Sequence, residues 1–161
     1  MSILEAIFKR RSVRHYQNKP VPEEVLKNIL EAGRLAPSAN NAQPWHFIVV
    51  TDPKIKQKMS QGNWNKFIKD SAFTIVGCGE KDNPWSTIDV TIALENMVIA
   101  AEAQGVSSCW IGDFKEEELK KILNIPDHLK VVCQVSFGYP AEQPSSRFKK
   151  SLEEIVHYNR F

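Results

Sequence analysis

Apolar residues recur at helical spacing from the first turn of the chain. Ile3, Leu4, Ile7 and Phe8 make one face, and Ser2 followed three places on by Glu5 is the reciprocal capping pattern that opens a helix. This predicts a helix to about Lys9. Val13, His15 and Tyr16 read as extended, and 17–22 reads as a loop with Pro22 placed as the first residue of a second helix. Glu23 and Glu24 suit the positive end of that helix, Val25, Leu26, Ile29 and Leu30 face the core, and Pro37 stops it. Phe47 to Val50 reads as a buried strand, Pro53 to Met59 as a short helix, Gln61 to Asn65 as a break containing Gly62, and Lys66 to Lys69 as a helical turn. Ala72 to Val76 is a second strand.

The most apolar stretch runs from Asp89 to Gln104. Val90, Ala93, Leu94, Met97, Val98 and Ala101 form one face, while Ile92, Ile99, Ala100 and Ala103 cover much of the rest. A helix apolar nearly all round must be covered on nearly all sides. In a chain of this size it is either a central core helix or a helix buried against a second subunit, and a charge at Met97 would test the latter. Gly105 ends it, and Val106 to Ile111 reads as a third strand. Asp113 and Glu116 repeat the capping pattern before a helix at Leu119 to Leu123, Lys130 to Phe137 is a fourth strand, and beyond Gly138-Tyr139-Pro140 the tail is polar until Ile155 and Val156.

Composition narrows the picture. A chain of 161 residues with 42% hydrophobic positions supports one domain, residues 1–161, with its own core. A formal net charge of +2 offers no global basic field for nucleic acid or an anionic membrane. Cys78, Cys109 and Cys133 are odd in number and widely spaced, which reads as buried thiols in a reducing compartment. No signal-peptide pattern opens the chain and no apolar run reaches membrane-spanning length, so a soluble cytoplasmic protein is expected. Gly77-Cys78-Gly79 lacks the rest of a dinucleotide fingerprint, and neither His46 nor His128 has metal-ligand spacing, so no metal is expected.

Two stretches carry candidate chemistry. Arg10-Arg11-Ser12-Val13-Arg14 packs three guanidinium groups and a hydroxyl into five residues, and guanidinium forks match phosphate oxygens better than any other side chain. Alone, the cluster reads first as a solvated basic turn. A second basic group, Arg147, Lys149 and Lys150, lies at the other end of the chain. If the tail returns to the first loop, in its own subunit or a partner's, both groups could surround one phosphate. The second stretch, Ala36 to Phe47, is dense in amide donors and acceptors; it could recognise the edge of a planar heterocycle or be an ordinary turn.

The blocks RRSVR (10–14), PSANNAQPWHF (37–47), Asp89 followed by LENMVIAAEAQGVSSCWIG (94–112), GYPAE (138–142) and a tail ending LEEIVHYNRF stand in an order that resembles the nitroreductase family of FMN-dependent oxidoreductases, in a compact form. The resemblance covers the chain from about residue 3 to its end. It implies an α+β fold, a three-layer α/β/α sandwich with a mostly antiparallel sheet, assembled as an intertwined homodimer with FMN at the subunit interface. By the same resemblance Arg10, Arg11, Ser12 and Arg14 hold the FMN phosphate and ribityl chain, and Arg147 and Lys149 reach the phosphate from the tail. Pro37, Ser38, Ala39, Asn40 and Gln43 approach the flavin of the other subunit. Trp110, Ile111 and Gly112 place backbone near the reactive edge of the ring, and Asn65 matches an amide side chain near its pyrimidine edge. The side chains of Trp110 and Ile111 are equally well explained as core strand.

The implied activity moves two electrons from NAD(P)H through bound FMN to a small acceptor such as a nitroaromatic or quinone, in a ping-pong sequence. Because the flavin carries the chemistry, no catalytic triad or metal cluster is needed, and Arg14 is the candidate for electrostatic tuning. A carrier or sensor without turnover, or a reduced-flavin reaction such as dehalogenation, would use the same residues. Between the second strand and the long helix the chain has only Glu80 to Ile88, where larger relatives insert covering helices, so an open or partner-covered pocket is expected.

Overall fold

Four apolar, β-rich runs pair into one antiparallel sheet. They are β1 (Trp45–Val50), β2 (Phe73–Glu80), β3 (Ser107–Ile111) and β4 (Leu129–Gly138), in the order β1-β2-β4-β3. The structure, a computed structural model, describes residues 1–161. A parallel bridge between Ser12 and Ser108 adds the loop after the first helix alongside β3. β2 continues through Gly77-Cys78-Gly79, past the end expected at Val76. A side chain at Gly77 would meet Leu94 and Val90, and one at Gly79 would meet Ser86. The glycines therefore admit a helix packed tightly across the strand rather than terminating it.

That helix is α4 (Ser86–Ala103), and with α2 (Glu23–Arg34) it covers one face of the sheet. Its buried Val90, Leu94, Met97, Val98 and Ala101 meet Ile29, Phe73, Ile75, Val106, Val135 and Phe137 in one apolar cluster. The Phe73 and Phe137 rings stack with centroids 5.0 Å apart. α4 begins earlier than its apolar run suggests, because the Ser86 hydroxyl donates to the Glu80 carbonyl at 2.7 Å and the Asn83 side chain accepts from the Trp85 amide at 2.9 Å. The opposite face is covered by α3 (Pro53–Met59), a 3-10 turn at Lys66–Asp70 and α5 (Glu116–Leu123), around buried Val50, Met59, Ile68, Val76, Ile111 and Leu119. The result is the expected three-layer arrangement.

The structure corrects the cap of α5 and settles what the apolar pattern leaves open at α4 and α1. Met97 is wholly buried inside one chain, against Gly33 of α2, where any side chain would collide with it. It does not report on a subunit contact. α5 opens without side-chain capping by Asp113, whose carboxylate is used elsewhere. In α1 (Ile3–Lys9) the Ser2–Glu5 capping box forms as expected, and its backbone bond to Ser2 is the main reason the Glu5 carboxyl falls to about 2. The apolar face of α1, however, stays open: Leu4 is 64% and Phe8 72% exposed. Trp85 and Ile88 on the outer side of α4, and Phe148, Leu152 and Ile155 in the tail, are exposed as well. One chain leaves this apolar surface uncovered.

The cysteines are free, with Cys78 and Cys109 buried and Cys133 half-buried. Burial pushes the Cys78 thiol up to about 11 and raises those of Cys109 and Cys133. Thiolate is the reactive form, so all three should resist iodoacetamide at about pH 8 in the native protein and react in denaturant. Mass spectrometry of the alkylated chain checks this, and rapid native labelling of Cys78 would contradict it.

Candidate functional site

After α1 the chain turns at Arg10 and runs beside β3 and the end of β4. Val13 donates its amide to the Ser108 carbonyl at 3.0 Å, the Tyr16 hydroxyl pairs with Ser136 Oγ at 2.8 Å, and Gln17 donates its amide to the Tyr139 carbonyl at 2.9 Å. Val13 and Tyr16 are buried by this stitching, and Arg14 is left on the outside. The tail then comes back: Ala141 donates to the His15 carbonyl at 2.9 Å, which returns residues beyond Pro140 to the arginine segment.

A cavity of about 590 Å³ forms where the two ends meet, lined by Arg10, Arg11, Ser12, Arg14, Arg147 and Lys149. The two basic groups thus converge within one chain. None of these cations takes part in an ion pair. Their hydrogen-bonding states differ. Arg11 spends Nη1 on the carbonyls of Phe8 (2.9 Å) and Arg10 (2.8 Å), closing the C-terminal end of α1, whereas Arg10 Nη1 is buried with no partner. An unsatisfied buried guanidinium nitrogen is costly, and an anion in the cavity would relieve it. Glu102, the acid whose field reaches Arg10 and Arg11, is raised above the usual carboxylate range, chiefly by burial.

A second cavity, of about 510 Å³, shares Arg14 and Arg147 with the first and continues along Trp64, Phe67, Trp110 to Gly112 and Asp113. The Arg14 guanidinium carbon stands 6.0 Å from the centre of the Phe67 ring. At Gly112 the space a Cβ would enter is empty, so a ligand can approach the backbone at the end of β3. One cavity is cationic, and the other adds three aromatic side chains to the two arginines they share. Together they suit a molecule with an anionic end and a flat ring.

The remaining expected residues lie apart. Pro37, Ser38, Ala39, Asn40 and Gln43 line neither cavity of their own chain. Their loop holds Asn40, Asn41 and Gln43 at positive φ (51°, 55° and 51°), and both carboxylate oxygens of buried Asp89 accept from the Ala39 amide at 3.3 Å. Gln43 donates its backbone amide to Ser38 Oγ at 3.0 Å and its side-chain amide to the Asn41 carbonyl at 3.2 Å, so the loop is held by its own hydrogen bonds. Asn65 also lies apart: it is 2% exposed, Nδ2 donates to the Met59 and Asp113 carbonyls, and Oδ1 accepts from the Gly62 amide. Its amide is spent inside the protein, and it does not line the aromatic cavity. Trp64, Phe67 and Asp113 were not foreseen as site residues. A tryptophan in an otherwise polar break was the available signal for Trp64.

Residues 7–72 and 59–139 match the model of the nitroreductase family. A Methanothermobacter thermautotrophicus protein provisionally named NADH dehydrogenase/NAD(P)H nitroreductase is 35% identical over 156 residues, covering 91% of this chain and 82% of the relative. An iodotyrosine deiodinase of Thermotoga neapolitana is 28% identical over 179 residues, covering 95% of each. Among solved structures, an FMN-dependent nitroreductase from Clostridium difficile superposes with a TM-score of 0.91 at 29% identity, covering 98% of this chain and 99% of that one.

Proposed function

This chain belongs to the nitroreductase family, and from that premise we propose that it is an FMN-dependent oxidoreductase carrying two electrons from NAD(P)H to a small acceptor such as a quinone or nitroaromatic, in alternating half-reactions. The observation that carries the reading is the pair of joined cavities, one cationic with an unpartnered buried Arg10 nitrogen, the other aromatic with open backbone at Gly112. These residues fit FMN: a terminal phosphomonoester suits the first cavity and a flat tricycle the second. When bound, FMN supplies the two-electron chemistry, and with a quinone the balance is NAD(P)H plus a proton plus quinone giving NAD(P)⁺ plus hydroquinone.

The protein's part is binding and electrostatics. Arg10, Ser12, Arg147 and Lys149 would neutralise and orient the phosphate, with Arg11 holding the end of α1 beneath them. Arg14, common to both cavities, places positive charge beside the ring, where electron uptake adds negative charge. Trp110 to Gly112 would approach through their backbone. The strained loop at Pro37 to Gln43 would reach the ring bound by a second copy, which makes the functional unit a homodimer. The uncovered apolar surfaces of α1, α4 and the tail support that assembly.

The purified protein should be yellow, acid release should yield FMN rather than FAD, and NADH or NADPH should bleach it anaerobically, with colour returning when a quinone or nitroarene is added. Recovery of FAD as the main flavin, or failure to reconstitute with FMN, would count against the assignment. No bleaching by either nicotinamide would leave a flavin-binding module. The similarity to an iodotyrosine deiodinase favours one second reading, reductive dehalogenation at the same site. Halide release from a halogenated phenol, in place of quinone or nitroarene turnover, would establish it.

A further inference from the structure

The aromatic cavity is walled on one side by a residue that no core holds. Trp64 lines it, yet is 82% exposed, in the irregular segment between α3 and the 3-10 turn. An indole on such a segment keeps one orientation only if the backbone beneath it is pinned. The Trp64 amide donates to Asp113 Oδ2 at 2.6 Å, a short charge-assisted bond, and Asn65 Nδ2 donates to the Asp113 carbonyl at 2.7 Å. Asn65 Oδ1 in turn holds the Gly62 amide at 2.9 Å. A side chain at Gly62 would overlap the Asp113 carboxylate, so the glycine is what admits the carboxylate beneath the segment. Asp113 also follows directly on Trp110 to Gly112, which line the same cavity from the end of β3. One residue therefore ties Trp64 to the strand end.

We propose that Asp113 is a positioning residue that fixes Trp64 as a wall of the cavity and thereby selects flat aromatic electron acceptors. The inference rests on the oxidoreductase reading of this site. With the flavin ring in its part of this cavity, a flat acceptor taking the space that remains beside Trp64 gains by stacking against the indole, while a compact, non-aromatic acceptor gains nothing from it. Removing the carboxylate leaves the Asn65 bonds and every other lining side chain in place but takes away the acceptor of the Trp64 amide, which loosens the segment at the residue that carries the indole.

The test uses D113A, D113N, W64A, W64F and the double variant D113A/W64A, each checked for folding and bound flavin. In hydrogen exchange the 61–66 segment should lose at least about tenfold protection in D113A, with D113N between it and the wild type, because asparagine keeps an acceptor oxygen. The ratio of kcat/KM for 1,4-naphthoquinone to that for ferricyanide should fall at least about fivefold in D113A and in W64A, through KM for the quinone. It should fall no further in the double variant and should recover in W64F. Unchanged exchange in D113A overturns the clamp. Single losses that multiply in the double variant, or lost protection with an unchanged ratio, overturn the selectivity role. If D113A does not fold, D113N carries the exchange measurement and W64A with W64F the kinetics, on the same criteria. A wild-type chain that takes up no FMN overturns the oxidoreductase reading instead, and the exchange measurement still decides whether Asp113 pins the segment.

Discussion

Arg10→Ala should weaken FMN binding by about 1.5–3 kcal/mol, roughly ten- to 150-fold in Kd. The reason lies in which guanidinium is still free. Arg10 presents a buried, unpartnered Nη1, whereas Arg11 has already committed Nη1 to two carbonyls. Arg11→Ala should therefore cost less flavin affinity and act mainly by loosening the end of α1. Arg10→Lys should fall between, because an ammonium keeps the charge but cannot reproduce the planar fork. Titration of the apoprotein followed by flavin fluorescence gives the affinities, and circular dichroism confirms that each variant is folded. Unchanged affinity in folded Arg10→Ala would remove Arg10 from the phosphate site.

Much of the fold was legible because its elements are written in local chemistry. The capping box at Ser2 and Glu5, the prolines bounding α2, the 3.6-residue apolar period of α2 and the long apolar run of α4 are each written in neighbouring residues. What was misread depended on distant partners. Gly77 and Gly79 looked like punctuation, and their meaning lies in α4 crossing β2. Asp113 looked like a cap for α5, but the amide of Trp64, 49 residues earlier in the chain, claims its carboxylate. The sequence leaves Met97 either core or interface because α4 is apolar nearly all round, and only the packing of α2 decides which side is internal.

The site divides the same way. Charge clustering at Arg10–Arg14 and Arg147–Lys149 was visible, and the β-type stitching of Tyr16 and His15 to residues 139–141 brings those clusters to one cavity. No local pattern separated Arg10 from Arg11, since that depends on which carbonyls end a helix. The Asn65 amide signals a polar contact in the sequence, and the structure turns that amide inward. Its neighbour Trp64, bulky and apolar in a polar segment, carries the exposed surface.

The largest effect should come from the outer side of α4. Trp85, Ile88 and Ile92 recur there at helical spacing, opposite the buried Val90, Leu94 and Met97, and one chain leaves all three exposed. If this stripe packs against a second copy, Ile92→Lys places an ammonium in an apolar contact at a cost of several kcal/mol. The single-chain core is untouched, so the variant should fold and sediment as a monomer. Met97→Lys, by contrast, should unfold the chain at any concentration, because its side chain has no route to water. Since Pro37 to Gln43 line neither the cationic nor the aromatic cavity of their own chain, the monomer would also lack that part of the flavin site. Ile92→Lys should therefore lose its partner and its FMN together, with Kd raised at least about a hundredfold, or roughly 2.7 kcal/mol. Sedimentation and flavin absorbance on the same samples give both quantities. A stable monomer retaining one full equivalent of tightly bound FMN would show that each chain builds its site alone, and the shared-site homodimer would have to be abandoned.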